Sequence, residues 1–151
     1  MSKSPQSRIA EVGRYGEALV AQWLQQQGWK ILAQRWTSRW GEIDIVALNT
    51  ADRHLCVAFV EVKTRSRGSW DKNGLDAITT AKQTKLWKTA QFFLSQHPEL
   101  ADATCQFDVA LVEVKPKAEH KTAVSSLPIT LGEAVIVDNY ALTLQTYLEA
   151  A

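Results

Sequence analysis

Hydrophobic and polar positions alternate along this chain with two periods, one typical of helices and the other of strands. Apolar residues at helical spacing form broad stripes, while shorter runs are continuously apolar or alternate with polar residues. The predicted helices cover 13–27, 79–96 and, at the end of the chain, 141–150. The predicted strands are 29–36, two runs within 41–63, 105–114 and an edge strand that ends the segment 129–140. Gly28 and Pro98 lie where the first two helices are expected to end.

The two apolar runs within 41–63 predict a β-hairpin with charged residues inside it. Asp44 lies in the run IDIVAL, and Glu61 and Lys63 lie in the run FVEVK. A tight turn near 51–54 favours a register in which paired residue numbers sum to about 105. In that register Asp44 faces Glu61, and opposite Cβ atoms in such a pair are ~4.5–5.5 Å apart.

Side chains of a strand alternate between the two faces of a sheet. In the first strand of the hairpin, Asp44 is therefore expected to share a face with Val46, while Ile43 lies on the other face. In the second strand Glu61 and Lys63 share a face. A slip of one residue would put the two carboxylates on opposite faces, so the prediction depends on the register.

Composition predicts one soluble globular domain. The 151 residues are 46% hydrophobic and 22% charged, which fits a single domain over 13–151 behind a flexible N-terminus, 1–12. No apolar run reaches the ~18–20 residues that span a bilayer, and the N-terminus lacks the apolar core of a secretory signal. We therefore expect a cytoplasmic protein with no membrane contact. Cys56 and Cys105 lack the spacing of a zinc site and are expected to be small buried hydrophobes, with metal or redox use as the alternative.

Charge is distributed unevenly, although the net charge is only +1. Residues 1–88 contain 14 Lys and Arg against 8 Asp and Glu, whereas residues 89–151 contain 3 against 8. The basic part would attract an anionic partner, and nucleic acid is the obvious candidate. The alternative is that surface charge clusters by chance.

Two facing carboxylates beside a lysine suit a divalent metal ion. Hard cations such as Mg²⁺ prefer oxygen ligands, commonly one or two carboxylates with water. Asp44 and Glu61 could clamp such an ion, and Lys63 could bring an ammonium to the attacking water or the phosphate. Glu17 could add a ligand from the first helix. This arrangement indicates phosphodiester hydrolysis with Mg²⁺ or Mn²⁺. The alternatives are a same-face ion pair on a solvated sheet and, for Glu17, an ordinary residue flanking the apolar stripe.

Five segments of the chain resemble the YraN-type family of uncharacterised bacterial proteins. They are GRYGEALVAQWLQQQGWKIL, WGEIDIVAL, FVEVKTR, KQTKL and FDVALVEV, in the same order over residues 12–114. That family is in turn similar to the archaeal Holliday-junction resolvases of the PD-(D/E)XK, restriction-endonuclease-like superfamily. The resemblance implies an α/β fold with a restriction-endonuclease-like core, in which a central mixed β-sheet is flanked by α-helices. It also implies nuclease chemistry.

The resemblance assigns roles to residues by position. Asp44 corresponds to the aspartate of the superfamily motif, Glu61 to its second acid and Lys63 to its lysine. Glu17 corresponds to the helix acid of the resolvase-like branch, and Gln83 to a polar residue on the helix that follows.

The matching segments keep every proposed metal ligand but depart from the family elsewhere. In the superfamily the main-chain carbonyl between the second acid and the lysine, here that of Val62, often completes the metal shell. Ile43 replaces the proline that names the motif. Arg35-Trp36 stands where Asn followed by Arg is expected, and Gln106 stands where Arg is expected. The changes at 35 and 106 could alter substrate contacts.

Basic and aromatic residues near the site predict a surface that binds the DNA backbone. The residues expected to bind nucleic acid are Arg14, Arg39, Arg65, Arg67, Trp70, Lys82, Gln83 and Lys85. Trp36, Trp40 and Trp70 could stack on bases or wedge at a junction, and Trp70, in a polar loop, is the best candidate. Trp23 and Trp87 are expected to pack in the core.

The leading prediction is a Mg²⁺- or Mn²⁺-dependent endonuclease acting on DNA rather than RNA, with branched or junction DNA among the candidate substrates. The main alternative is a nucleic-acid-binding module on a nuclease scaffold with little or no catalysis. A third is a protein-interaction domain whose carboxylates are merely ion-paired. Because resolvase relatives cut two strands symmetrically as dimers, the resemblance also suggests a homodimer, although no interface pattern stands out in the sequence.

Overall fold

The computed structural model describes residues 5–51, 53–66, 80–116 and 128–149. Within these ranges the chain forms two α-helices, a 3₁₀ turn and six strands. In chain order they are α1 (Pro5–Gln26), β1 (Lys30–Ser38), β2 (Gly41–Asn49), β3 (Cys56–Ser66), α2 (Thr80–Ser95), the 3₁₀ turn (Pro98–Leu100), β4 (Thr104–Pro116), β5 (Ala134–Val137) and β6 (Tyr140–Leu148).

The strands form one mixed sheet in the order β1-β2-β3-β4-β6-β5. β3 and β4 are parallel, and the other neighbouring pairs are antiparallel. The parallel pair is connected through α2, as a parallel pair requires a crossover. α1 packs on one face of the sheet and α2 on the other. This architecture confirms the predicted α/β fold and is consistent with a restriction-endonuclease-like core.

Each helix covers its own hydrophobic cluster. On the α1 side, Leu24 is fully buried in the cluster that contains Val60 of β3. On the α2 side, Phe93 meets Phe59 edge to face with ring centroids 6.0 Å apart. Trp36 also packs on Phe93, at 5.2 Å between centroids. The Trp36 ring therefore packs against the core, which differs from the predicted role in base stacking.

α1 begins at Pro5 rather than at Gly13, where the apolar stripe begins. Residues 7–10 are exposed, so no apolar period marks these turns in the sequence. The end of α1 agrees with the prediction. Gly28 adopts the left-handed φ of +98°, and the N–H groups of Gly28 and Trp29 bond back to carbonyls of the last helical turn.

A glycine lets α1 approach β3 closely. A Cβ atom at Gly16 would overlap the side-chain oxygen of Thr64, so an alanine there would force the helix or the strand to shift. The same close approach holds the next residue, Glu17, over the end of β3.

The predicted closing helix at 141–150 is wrong, because this segment forms β6. Val137 pairs with Tyr140 across a two-residue turn in which Asp138 has a φ of +54°. Leu142 and Leu144 are two positions apart and both fully buried, as the two-residue period of a strand requires. The hairpin with β5 and the pairing with β4 therefore override the local helical preference.

Two further expectations concern the cysteines and membranes. Cys56 and Cys105 are free and partly buried, and burial raises the pKa of both thiols. Cys56 Sγ donates a hydrogen bond to Gln106 Oε1 at 3.4 Å. This agrees with small packed side chains, since a raised pKa disfavours the reactive thiolate. Among the described helices, none is long and apolar enough to cross a membrane.

Candidate active site

The hairpin of β2 and β3 has the predicted register. Ladder pairs run from Ile45–Val60 to Asn49–Cys56, and the residue numbers of each pair sum to 105. Regular pairing ends at Ile45 and Val60, one step before Asp44 and Glu61. The two acids therefore come next to each other where the two strands cease to be paired.

The alternation of side chains along β2 breaks at Asp44. Ile43 and Val46 both pack in the α2-side cluster, although strict alternation would separate them, whereas Ile45 packs on the α1 side. The prediction that Ile43 and Val46 lie on opposite faces is therefore wrong. Asp44 Oδ2 instead accepts a hydrogen bond from the main-chain N–H of Val62 at 2.8 Å. Its carboxylate thus bridges to β3 where the ladder ends.

Glu61 and Lys63 share a face of β3, as predicted. Lys63 Nζ lies 3.1 Å from Glu61 Oε1. Both side chains line a groove of about 200 Å³ between the sheet and α2. The groove is completed by Gly41, Glu42, Lys82, Lys85, Leu86 and Thr89.

Glu17 approaches from the opposite face. It lines a separate cavity between α1 and the end of β3, together with Val62 and Thr64. Glu17 Oε1 is buried, has no hydrogen-bond partner in the described part of the chain, and lies 3.6 Å from Arg35 Nε. The candidate site therefore involves both faces of the sheet. Glu61 lines the groove on the α2 side and Glu17 lines the cavity on the α1 side. Asp44 lies on β2, next to the part of β3 that contributes to both.

Burial and like charges raise the pKa of Asp44. The pKa of Asp44 rises from 3.8 to about 7, first because of burial and then because of the charge on Glu61, with smaller contributions from Glu17 and Glu42. The hydrogen bond from Val62 opposes this rise. Crowded carboxylates that are partly withdrawn from water favour a proton or another cation between them.

The same causes act on Glu17. Burial is the largest of them and raises its pKa, while Arg35 opposes the rise. Glu42 and Glu61 add to it through their charges, and Arg14 weakly opposes it. Glu17 and Asp44 are thus linked electrostatically even though they lie in different surroundings.

A second lysine meets Lys63 in the groove. Contact with the Lys63 ammonium, followed by burial, lowers the pKa of Lys82. Burial disfavours the Lys63 ammonium, but the hydrogen bond that it donates to the Lys82 amine, together with the charge and hydrogen bond of Glu61, outweighs that effect and raises its pKa. The two lysine side chains together create positive potential at the place where an anion would enter from the α2 side.

The donor set fits a hard divalent cation. Within 5–51, 53–66, 80–116 and 128–149, no three or more His, Cys, Asp or Glu side chains are arranged to hold a metal. Mg²⁺, however, commonly uses only one or two carboxylates and keeps several waters. Asp44 and Glu61 provide the two carboxylates. The N–H of Val62 points to Asp44, and in a strand the carbonyl of the same residue points the same way.

A second Glu-x-Lys sequence shows what distinguishes the first. Glu113 and Lys115 occupy the same spacing on β4 and lie 3.6 Å apart. Glu113 also accepts a hydrogen bond from Gln145 at 3.3 Å. This pair is an ordinary strand ion pair, whereas Glu61 and Lys63 lie beside Asp44 and a basic groove. The Glu-x-Lys motif alone therefore does not single out a candidate site, and the difference lies in the neighbouring residues.

The other residues predicted to bind nucleic acid lie around the site to different degrees. Lys82 and Lys85 line the groove. Arg14, Arg39, Arg65 and Gln83 are exposed, and none of these four is among the groove residues. Arg67 and Trp70 lie outside the described residues.

Two tryptophans were expected in the core. Trp23 meets that expectation, since its ring packs on Tyr147 with centroids 5.0 Å apart. Trp87 is 47% exposed, which differs from the expectation, although one edge contacts Phe107 at 4.8 Å between centroids.

Arg35 is the site residue whose role the sequence did not indicate. It has a φ of +52°, which is uncommon for a residue other than glycine, and it pairs with Glu17. The sequence had suggested only that this position departs from the family. Gln106, the other departure, donates from Nε2 to both oxygens of the buried Asp108 at 3.0 Å. It therefore has a structural role on β4.

Comparison with known proteins finds one family. Residues 16–112 match the family described as "Uncharacterised protein family UPF0102". A UPF0102 protein of Trichodesmium erythraeum (strain IMS101) is 44% identical over 96% of this chain and 90% of its own length. A UPF0102 protein of Acaryochloris marina (strain MBIC 11017) is 48% identical over 97% of this chain and 92% of its own length. A UPF0102 protein of Synechococcus sp. (strain JA-3-3Ab) is 53% identical over 74% of this chain and 80% of its own length.

Proposed function

This chain belongs to the uncharacterised protein family UPF0102, the YraN-type family that its sequence resembles, and we propose that it is a divalent-metal-dependent endonuclease acting on DNA. One observation carries the proposal: Asp44 and Glu61 meet where β2 and β3 separate, and their proximity helps to raise the pKa of Asp44 to about 7. Such crowding is unfavourable unless a cation occupies the site.

Each residue of the site has a separate role in the proposed reaction. Asp44, Glu61 and the main-chain carbonyl of Val62 would hold a Mg²⁺ or Mn²⁺ ion. When bound, the ion would activate a water for attack and neutralise charge on the phosphate. Lys63, 3.1 Å from Glu61, orients that carboxylate and brings an ammonium close to the phosphate. Glu17, with a buried oxygen on the other face, holds a water or a further ligand on the α1 side.

An ion cluster without catalysis explains the site less well. Lys63 satisfies Glu61, so that pair alone would need no metal. Asp44 differs, because within the described ranges no Lys, Arg or His lies within ion-pair distance of it, and its hydrogen bond comes from a main-chain N–H. A half-buried carboxylate held in this way beside two other acids is typical of functional sites.

The basic groove supports a nucleic-acid substrate. Lys82 and Lys85 face the same groove as Glu61 and Lys63. Ammonium groups bind phosphates without reading sequence, which suits an enzyme that acts on the backbone. A binding module with little catalysis is the second candidate, and it is favoured by the ion pair between Arg35 and Glu17, which already gives this acid a cation.

Cleavage assays test the proposal. Linear and four-way DNA would be incubated with the protein in Mg²⁺, Mn²⁺ or EDTA, beside Asp44→Asn and Lys63→Ala. We expect metal-dependent cleavage by the wild type and a loss of at least about 100-fold in each variant. The matched control is Lys115→Ala, which removes the lysine of the second Glu-x-Lys pair and should leave cleavage unchanged.

The controls also separate the two candidates. Equal cleavage by the wild type and the Asp44 variant would mean that the nuclease is a contaminant. Salt-sensitive DNA binding with no cleavage of either substrate in either metal would favour the binding module.

A further inference from the structure

The turn between β1 and β2 holds an exposed tryptophan beside the groove. Trp40 is 40% exposed and directly precedes Gly41, which lines the groove. The turn is fixed by Ser38, whose Oγ accepts from the N–H of Trp40 at 3.0 Å and donates to the carbonyl of Gly41 at 3.3 Å. Trp40 therefore projects from a turn that two hydrogen bonds hold in place.

Two cations lie close to the Trp40 ring. Arg39 Cζ is 5.0 Å and Lys88 Nζ is 5.9 Å from its centroid. In the described part of the chain, both cation–π contacts involve this one ring. Trp87, which is more exposed, has an aromatic neighbour instead. Trp40 thus combines a flat apolar surface with positive charge, as sites that bind single-stranded nucleic acid do.

The surface around Trp40 continues the groove along α2. Trp40 lies in a shallow depression with Lys88, Gln91, Phe92 and Ser95, which we call the Trp40 shelf. The groove residues Lys82 and Lys85 precede Lys88 at intervals of three residues, so the three lysines follow one side of the helix. A basic strip therefore connects Glu61 and Lys63 with the shelf.

We propose that the Trp40 shelf binds an unpaired nucleobase of a DNA strand whose phosphate lies in the groove. The inference rests on the proposed function and narrows its substrate class to DNA with unpaired nucleotides beside the cleavage point, such as a flap, a fork or an open junction. A base in intact duplex is already stacked between neighbours and has no free face for the ring. A base without a neighbour stacks on an aromatic side chain irrespective of its identity.

The charges around the ring favour this occupant. A base that stacks on Trp40 carries its own phosphates into the reach of Arg39 and Lys88, which would then bind them. Gln91 and Ser95 add polar groups at the rim that can bond to base edges. An uncharged apolar partner would gain nothing from the two cations.

Binding in metal-free buffer tests the shelf without cleavage. The probes are a fluorescein-labelled blunt DNA duplex and the same duplex with a short unpaired extension, titrated with the full chain in EDTA and followed by anisotropy. We expect the wild type to bind the extended duplex more tightly. Trp40→Ala should weaken binding of the extended duplex by about 5- to 150-fold and leave the blunt duplex unchanged. Trp40→Phe, which keeps an aromatic face, should retain most of the preference.

A matched variant and three outcomes make the test decisive. Trp87→Ala removes another exposed tryptophan without touching the shelf, and it should keep the preference. Equal binding of both probes by the wild type, equal weakening of both by Trp40→Ala, or no binding of either probe would overturn the proposal. If the preference is present but no metal supports cleavage, the shelf stands and the nuclease proposal fails. If cleavage occurs without the preference, only the shelf fails.

Discussion

Replacement of Asp44 by Asn should stabilise the metal-free protein, because it removes a charge that the fold disfavours. The pKa of Asp44 rises from 3.8 to about 7 on folding, a difference equivalent to about 4 kcal/mol. Asn has nearly the same shape, and its carbonyl oxygen can still accept the hydrogen bond from Val62. The substitution therefore removes the charge while keeping the contact at 2.8 Å.

The expected gain depends on pH in a defined direction. A raised pKa means that folded Asp44 binds its proton more tightly than the unfolded chain does. The stability from this proton is fully present below pH 3.8 and is lost as the pH rises towards about 7. The Asn variant does not lose this stability. Its free energy of unfolding should therefore exceed that of the wild type by about 2 kcal/mol at pH 5 and by about 4 kcal/mol at pH 8.

Urea denaturation in EDTA at several pH values measures the difference. Glu113→Gln, which neutralises a strand carboxylate outside the site, is the matched control and should show no comparable gain. Addition of Mn²⁺ should raise the stability of the wild type and leave that of Asp44→Asn unchanged, since only the wild type keeps both carboxylates. An Asn variant that is no more stable than the wild type at pH 8, or a gap that does not change with pH, would refute the reasoning.

Two further predictions concern the backbone around the site. Gly16→Ala should destabilise the protein by about 1–3 kcal/mol because the new methyl group meets Thr64. Gly13→Ala has open space around the new methyl group and should stabilise the protein by about 0.5–1 kcal/mol. Chemical denaturation measures both free energies of unfolding, and similar effects of the two substitutions would contradict the close contact of α1 with β3. Arg35→Asn and Arg35→Ala both remove the ion pair with Glu17, but Asn tolerates the φ of +52° better, so the Asn variant should be more stable by about 1 kcal/mol. Equal melting curves for the two variants would argue against strain at this position.

Elements that bury an apolar stripe locally could be predicted from the sequence. α2 was expected at 79–96 and covers Thr80–Ser95, because its apolar positions recur at helical spacing and Pro98 ends it. β6 could not be recognised in this way, since the segment ALTLQTYLEA also fits a helix. Its strand conformation depends on the turn at Asp138 and on pairing with two other strands. The turn did leave a signal, because VDNY between apolar runs is typical of a tight hairpin.

The geometry of the candidate site was only partly predictable from the sequence. Turn length fixed the register that brings Asp44 and Glu61 together, and spacing placed Lys63 on the same face as Glu61. The alternation of side chains between the two faces of β2 breaks at Asp44, which the sequence does not indicate. The sequence also does not indicate that Arg35 pairs with Glu17. Both features depend on contacts between segments distant in sequence, which a local period does not contain.

The two failures share a location in the sheet. In the ladder of β1 and β2, Gln34 pairs with Ile45 and Trp36 pairs with Ile43, so Arg35 lies opposite Asp44. At this one position β1 adopts a positive φ and β2 loses its alternation. Irregular strand positions redirect side chains and are common next to functional sites. A regular ladder would turn Asp44 towards one helix, away from the N–H of Val62. The irregular position is therefore also the place where Asp44 accepts the N–H of Val62 and where the charges of Glu61 and Glu17 act on its carboxylate.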